Sequence, residues 1–433
     1  MAASAAAAAT SFVQDLQEWG AEDILVLAAA AGAGSLPDAP IHYTGAAGDT
    51  MMTGIRNFTE SVTDPSDATR AAVERFDPDG RALVIVESFT ESSRVVGRRV
   101  FGPRRPEWVA LEDKTVIDGV WDRAGVPRAP SAVVPVAEAA AVSADLATPE
   151  GTVWTADNRE GWHGGAAYTR WVSDVAGAAA AEAWFRDRAH AVRVMPFLDG
   201  IPCSIHGLVA NDGIATFRPV EMIILRTLDR TLQYAGMATF WDPPQRIRHE
   251  MRAVARRTAE LLAASVGYLG PFSIDGVCTA DGFRPTELNP RMSAGLGMQT
   301  GALNFPLGAV TRALVEGLVT VPVAALEDET VAAADAARTG GLSMPVDEKV
   351  DPDEMGVSFS GGRARRVPLE DADGHMKIGP SPHGSHLMAR FDPRRVLPGP
   401  TLAPRAAQAA ALASDQWSLG LPALTVAPDV CAG

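Results

Sequence analysis

Lysine is nearly missing from this 433-residue chain: Lys114, Lys349 and Lys377 are the only three, and arginine carries the rest of the positive charge. A lysine at a motif position is therefore more informative here than usual. Cysteine is equally scarce. Cys203, Cys278 and Cys431 form no close pair and no metal-ligand spacing, so the expectation is of reduced thiols in a cytoplasmic protein without a thiolate metal site. No run of large apolar residues is long enough to span a membrane. The opening MAASAAAAATSF has no basic segment before it and reads as a ragged start or a weak helix rather than a signal peptide. Net positive charge is absent as well: a formal charge of −15 argues against a nucleic-acid partner, whose phosphates it would repel. What remains, 47% apolar and 21% charged, describes a globular chain long enough for several cores.

The most informative stretch is SIDGVCTADGFRPTELNPRMSAGLG, residues 273–297. If Ala280-Asp281-Gly282 forms a three-residue hairpin loop with Gly282 in the left-handed conformation, Thr279 faces Phe283 and Asp275 faces Glu287. Side chains alternate along a strand, so Asn289 shares their face. Two carboxylates about 5 Å apart repel by roughly 3 kcal/mol at an effective dielectric of about 20, which calls for a cation between them. Two carboxylates and an amide suit a hard ion such as Mg2+ or Mn2+, and Arg291 beyond them suits a phosphate.

Upstream, EWVALEDKTVIDGVWDRAGVPRAP predicts a helix from the spacing of Val116, Ile117, Val120 and Trp121. Glu112 and Asp113 fall at its amino end and Lys114 in its first turn, where free backbone N–H groups already favour an anion. GTVWTAD and AAYTRWV predict two strands joined by the loop NREGWHGG, residues 158–165, whose glycines make a mobile flap. His163 is the one histidine in that loop, while Trp154 and Trp162 read as core or loop anchors. After an alanine-rich helix, AVRVMPFLDGIPCSIHGLVANDG predicts strand, bend and strand. FRPVEMIILR adds another strand, and RIRHEMRAVARRTAELLAASVG a long amphipathic helix with a solvated arginine face. Near the start, DILVLAA and RALVIVE predict buried strands and SDATRAAVERF a helix; the AGAG glycines between them only turn the chain.

Taken in order, Asp-Lys before a helix, a glycine loop, strand-bend-strand, a long helix and then Asp275, Glu287, Asn289 and Arg291, the sequence resembles the ATP-grasp superfamily over residues 105–310. That resemblance implies an α/β and α+β chain built on an ATP-grasp clamp of two α+β subdomains. The expected division is an N-terminal α/β unit at 1–108, the small subdomain with the glycine loop at 109–190, the large subdomain with the metal and phosphate site at 191–335, and a partly β C-terminal segment at 336–433. It further implies that ATP binds with Mg2+ or Mn2+ held by Asp275, Glu287 and Asn289. Lys114 and Arg291 act as the catalytic cations, on the ATP phosphates and on phosphate or the reacting carboxylate respectively. Thr155 and the loop residues Gly161, His163, Gly164 and Gly165 lie over the phosphates, and Met195, Pro196, Phe197, Leu198 and Asp199 form the adenine and ribose hinge.

One departure stands out. Many members carry a second lysine on the strand before the glycine loop, where this chain has Thr155, Ala156 and Asp157; Arg159 or Arg170 is the candidate replacement. Within the superfamily, RVMPFLDGIPCSIHG, FRPVE and DGFRPTELNPR are most similar to actinobacterial ligases related to the peptide ligase of pheganomycin biosynthesis.

The implied reaction joins a small carboxylic acid, an amino acid or peptide-like acid, to an amine or peptide acceptor in specialised metabolism. The acid passes through an acyl phosphate, and ADP and phosphate leave. An ATP-grasp carboxylase or nucleotide-precursor ligase is the alternative, kept open by the arginines of GPRRP at 102–106, and a nucleotide-binding scaffold without turnover is a third. No nucleic acid or membrane is expected as a partner, and a homodimer is the assembly such clamps often form. The tail holds His375, His383 and His386, and its HGSH reads as a solvated loop rather than a metal site.

Overall fold

The computed structural model describes the chain apart from Ala33, Ala47, Asp49, Thr50, Phe89, Glu160, Trp162, Gly165, Asn304, Pro382, His383 and residues 431–433, and apart from the side chains of Met51, Met52 and Ala302. The expectations for Trp162, Gly165, His383 and Cys431 thus fall outside the described residues.

The alanine-rich start is neither ragged nor helical at its first residues. Ala2–Ala5 is a strand, parallel to Val26–Ala30, which in turn pairs with Ile41–Tyr43. Alanine is small enough to let this backbone sink beneath its neighbours, and Ala2 and Ala3 are buried. Ser4 pins it: its N–H and hydroxyl both donate to Glu87 Oε2, at 2.9 and 3.0 Å. The expected strand around RALVIVE is reduced to isolated bridges at Val84 and Val86. The helix Asp67–Phe76 is as read, with Ser66 accepting from the Thr69 N–H as its cap.

Among the described residues, a four-stranded antiparallel sheet carries Ala132–Pro135, Ala191–Pro196, Thr152–Ala156 and Thr169–Val172 in that spatial order. Its inner face packs Trp154, Val192 and Val194 against Phe185 of the helix Val175–Phe185. Because Ala191–Pro196 belongs to this sheet while Ile201–Ala210 belongs to the large one, residues 191–210 are a crossing between sheets and not a hairpin. Gly200 makes the crossing possible: with φ at +148°, its backbone lies so close to the next strand that a Cβ would stand 2.2 Å from the Cys278 carbonyl oxygen.

The large sheet, twelve-stranded among the described residues, runs from Gly282–Asn289 through Gly270–Thr279, Ile201–Ala210, Val220–Thr227 and Leu232–Ala238 into the C-terminal strands Gly340–Val346 and Gly384–Phe391. The tail therefore extends the clamp's own sheet. The long helix Gln245–Val266 covers one part, burying Ile247, Met251, Val254 and Leu262 against Ile205, Phe272 and Ile274, and Gly267 ends it in the left-handed conformation. Its arginine face is not simply solvated: Arg252 and Arg256 pair with Glu327 of the helix Val323–Ala336. Arg218, which has no exposed side-chain surface, joins Asp242 and Asp335.

Cys203 is a buried free thiol, but Cys278 is disulfide-bonded, which corrects the expectation that the cysteines are reduced. Spacing along the chain does not show which cysteines approach in space. No helix of the described residues is long and apolar enough to cross a membrane.

The helix Ala403–Trp417 docks on the C-terminal half through Ala406, Ala409, Ala410 and Ala413, a face flat enough for close contact with Leu342, Met344 and Met376. Glu221, buried on Val220–Thr227, accepts the N–H groups of Leu402 (2.6 Å) and Ala403 (2.8 Å) at the start of this helix. Burial nevertheless pushes its carboxyl from 4.5 up to about 7. A carboxyl raised on folding stabilises fully below its unfolded value and loses that contribution as pH rises through the folded one. Wild-type stability in urea should therefore fall between about pH 5 and pH 8 by on the order of 3 kcal/mol more than that of Glu221→Gln. Parallel curves would contradict a carboxyl raised by folding at Glu221.

Candidate functional site

The strands Gly270–Thr279 and Gly282–Asn289 form a hairpin whose turn is one residue shorter than read, since Thr279 pairs with Gly282 and Cys278 with Phe283. That register alone would set Asp275 out of line with Glu287. A bulge corrects it: Gly276 faces Pro285 and Asp275 faces Glu287, with Thr286 as the extra residue. Pro285 has no N–H for the ladder, so the break falls beside it. The expected pairing is present, reached by a two-residue turn plus a bulge.

Asn289 lies on the same face and donates from Nδ2 to Asp275 Oδ2 at 3.0 Å. Arg291 donates from Nη2 to Asn289 Oδ1 at 2.8 Å and from Nε to Glu112 Oε2 at 3.2 Å. Glu112 also accepts from Arg104, so a buried carboxylate bridges two guanidiniums. Lys114 reaches in from the other side, its Nζ 3.1 Å from Glu287 Oε1, with only 8% of its side chain exposed. The helix here begins later than read, at Ile117, so Lys114 sits in the preceding turn and not in a first helical turn. Asp113 shapes that turn by accepting from the N–H and hydroxyl of Thr115. Glu112 is not at a helix end facing solvent but at the centre of the arginine network.

The electrostatics set the two facing carboxylates, Asp275 and Glu287, against each other. Burial first, then the Glu287 carboxylate, push Asp275 above the ordinary carboxylate range, while Arg291 and Lys114 pull it back. No group of three or more His, Cys, Asp and Glu side chains among the described residues is arranged to hold a metal ion. The donor set here is two carboxylates and an amide, all oxygen chemistry. A half-buried pair of facing carboxylates fits a hard divalent cation, with Lys114 and the Asn289 amide meeting the carboxylates in this structure.

Beside this cluster lies a cavity of about 180 Å³ between the four-stranded and the large sheets. Met195, Phe197 and Tyr234 give it apolar walls, and its polar groups include Lys114, Thr155 and Glu287. Thr155 Oγ1 is buried there without a hydrogen-bond partner. Of the expected hinge, Met195, Phe197 and Leu198 line the cavity; Pro196 pairs with Thr152, and Asp199 is held by Arg226 at 3.2 Å. The Phe197 N–H is committed to the Gly151 carbonyl at 2.9 Å, so it is not available to a base edge, and its ring stacks on Trp171 at 4.1 Å.

The glycine loop stands differently from the reading. Gly161 projects into open space, and it is Ala166, not Gly161 or Gly164, that reaches the cavity wall. His163 is buried, stacked on Tyr168 at 4.4 Å, with Nε2 3.1 Å from the Asp157 carbonyl. Burial, and then the nearby Lys114, push its pKa down to about 4, so it is neutral at pH 7 and anchors the loop. Arg170 is no substitute for a second lysine: it pairs with Trp154 on the opposite face of the sheet, its guanidinium 3.6 Å from the Trp184 ring centroid. Arg159 is exposed. The cation beside Thr155 is instead its cross-strand partner Arg193, fully buried, which donates from Nε to Asp118 at 2.9 Å. Sequence reasoning missed it, although a lone arginine in the apolar strand AVRVMP was the available signal.

Neither protein-family profiles nor curated proteins match the sequence. Solved structures do match in shape. The fold is the ATP-grasp fold, a clamp of α+β units around a large sheet flanked by α/β regions. Pyruvate carboxylase of Rhizobium etli, solved with the allosteric activator acetyl coenzyme A, superposes with a TM-score of 0.60 at 14% identity over 98% of this chain, which spans 37% of that protein. The biotin carboxylase domain of Hydrogenobacter thermophilus 2-oxoglutarate carboxylase, solved with MgADP, ADP and bicarbonate, gives 0.57 at 13% identity over 88% of this chain and 83% of its own. Phosphoribosylamine–glycine ligase of Thermotoga maritima gives 0.54 at 13% identity over 91% and 93%. At such identities the likeness is one of fold, and a peptide ligase is not among these three.

Proposed function

We propose that the protein uses ATP to activate a carboxylic acid as an acyl phosphate and passes the acyl group to an amine. The observation that carries this is the half-buried Asp275–Glu287 pair, tied through Asn289 to Arg291 and held by Lys114 beside an apolar cavity between two sheets. An apolar slot with charged groups at its edge suits a nucleotide, base within and phosphates toward the cations. Asp275, Glu287 and Asn289 would hold Mg2+ or Mn2+, which supplies charge neutralisation on the phosphates. Lys114 would exchange its carboxylate partner for phosphate oxygens. Arg291, steadied by Glu112, would orient the acid or the departing phosphate, since such transfer depends on positioning and electrostatics. The acid's oxygen attacks the γ-phosphorus and ADP leaves; the amine then attacks the acyl carbon and phosphate leaves. The glycine loop at 158–165, acting as a lid, would keep water from the acyl phosphate.

A second reading, an ATP-grasp carboxylase or nucleotide-precursor ligase, is favoured by the structural likenesses, which are largely to carboxylases and include a bicarbonate complex. The narrower likeness to actinobacterial peptide ligases rests on its three sequence motifs. Phosphate release from ATP and Mg2+ in the presence of amino acids, singly and in pairs, and of bicarbonate, with mass spectrometry of products, separates these readings. A new amide mass with ADP establishes the ligase, bicarbonate-dependent release the carboxylase, and nucleotide binding without turnover a scaffold.

A further inference from the structure

Arg291 also lines a second cavity, of about 60 Å³, between the N-terminal unit and the large sheet. Its polar wall is formed by Glu87, Thr90, Arg104, Thr311 and Arg312 together with Arg291. Fifteen buried side-chain polar atoms among the described residues have no hydrogen-bond partner, and four of them belong to this one wall: Glu87 Oε1, Thr90 Oγ1, Thr311 Oγ1 and Arg104 Nε. Buried polar groups without partners are costly, so such a concentration marks a place shaped for a polar ligand.

The charges are of both signs. Glu87 spends Oε2 on Ser4 and keeps Oε1 unpaired, and burial pushes its carboxyl above the ordinary range, which a bound cation would offset. Arg312 is half-buried and donates to the Gly308 carbonyl at 2.6 Å and to the Val86 carbonyl. Arg104 and Arg291 both pair with Glu112, and Glu91 also acts on Arg104. A ligand with an ammonium and a carboxylate fits this wall; a bare anion such as bicarbonate would lie against Glu87. Size narrows it further. The space is small, about 60 Å³, which favours a ligand with a short side chain.

We infer that this cavity receives the acid to be activated, and that the acid is a small zwitterionic amino acid of glycine or alanine size, its ammonium on Glu87, Thr90 and Thr311 and its carboxylate toward Arg104 and Arg291. The orientation follows from the bonding chain Arg291, Asn289, Asp275, which puts the Arg291 guanidinium on the side of the acidic pair, whereas Glu87 is tied to Ser4 of the N-terminal strand; Arg104 spans the two, donating to Glu112 and to the Ser88 carbonyl at 3.0 Å. The inference rests on the proposed acid activation. In that step the carboxylate oxygen bonds to the γ-phosphorus as the bond to ADP breaks, and the amino group stays protonated on Glu87. A protonated amine is no nucleophile, so the activated molecule's own amino group takes no part in the attack and the acceptor amine comes from a second molecule.

The test uses the full chain with ATP, Mg2+ and hydroxylamine, which captures an acyl phosphate as a hydroxamate. Glycine or alanine should give hydroxamate, with acetate, which has no ammonium, poorer in kcat/KM by about tenfold or more. Glu87→Gln should shrink the glycine-to-acetate ratio by about tenfold, mainly through the KM for glycine. Thr311→Val should shrink it less, and it stands in if loss of the Ser4 contact unfolds the first variant. A preference for phenylalanine, a ratio unmoved in both variants, or bicarbonate-dependent ATP cleavage indifferent to glycine each overturns the inference while acid activation stands. Calorimetric titration of glycine in the presence of a non-hydrolysable ATP analogue separates the other failure. Binding that Glu87→Gln weakens, with no acid turned over, supports the cavity and removes the proposed activity; neither binding nor turnover overturns both.

Discussion

Glu287→Gln is expected to abolish ATP turnover while leaving the protein folded. Glutamine keeps the shape of the side chain and its place opposite Asp275, and removes one of the two charges the proposed metal needs. Loss of such an electrostatic element in a buried site costs about a thousandfold or more in rate. Stability should change little, because two effects oppose each other. Lys114 loses its 3.1 Å partner, but Asp275 is relieved of the neighbouring carboxylate that helps push it up, and can attract Lys114 itself. The net change is expected within about 1 kcal/mol in urea unfolding, because the buried Lys114 can re-pair with Asp275 and is not left without a partner. Phosphate release unchanged from wild type would remove the acidic pair from the chemistry; a variant that does not fold would instead make Glu287 a structural residue.

Lys114→Ala is expected to weaken binding of a non-hydrolysable ATP analogue by about tenfold to a hundredfold, the range of a charge-assisted contact to phosphate. This variant also tests how the site is balanced before nucleotide arrives. In the metal-free protein Lys114 is the cation on Glu287, so its removal leaves two carboxylates facing each other with Arg291 acting through Asn289. The folded state should lose about 1–3 kcal/mol, and Mg2+ should restore more of the melting temperature in the variant than it adds to wild type. Unaltered analogue affinity would contradict a phosphate role for Lys114. Equal Mg2+ responses would contradict a metal at the acidic pair.

Legibility differed from element to element. The acidic pair was readable because hairpin counting is local, although the count was saved by a bulge at Pro285 that replaced the residue missing from the turn. The long helix was readable from its period, but the partners of its arginines were not, since Glu327 and Asp335 come from a later helix. Lys114 stood out by its rarity, whereas its position ahead of the helix depended on the Asp113 side chain capturing the backbone of Thr115. Arg170 and Arg193 show the limit best. Both are single arginines beside the same strand, and only the face on which each emerges separates a side chain stacked on Trp184 from one standing next to Thr155.

The sequence by itself determined the local elements, the cations in short supply and the order of motifs that announced an ATP-grasp clamp, because strand alternation, helical period and turn chemistry act within a few residues. Tertiary structure alone decided that residues 191–210 pass between two sheets, that the tail prolongs the large sheet, and that Glu112 joins Arg104 to Arg291. It also assembled the cavity in which Glu87, Thr90 and Thr311 meet. Those contacts join residues far apart in the chain, and which groups remain buried and unpaired emerges only when the separate units close on one another.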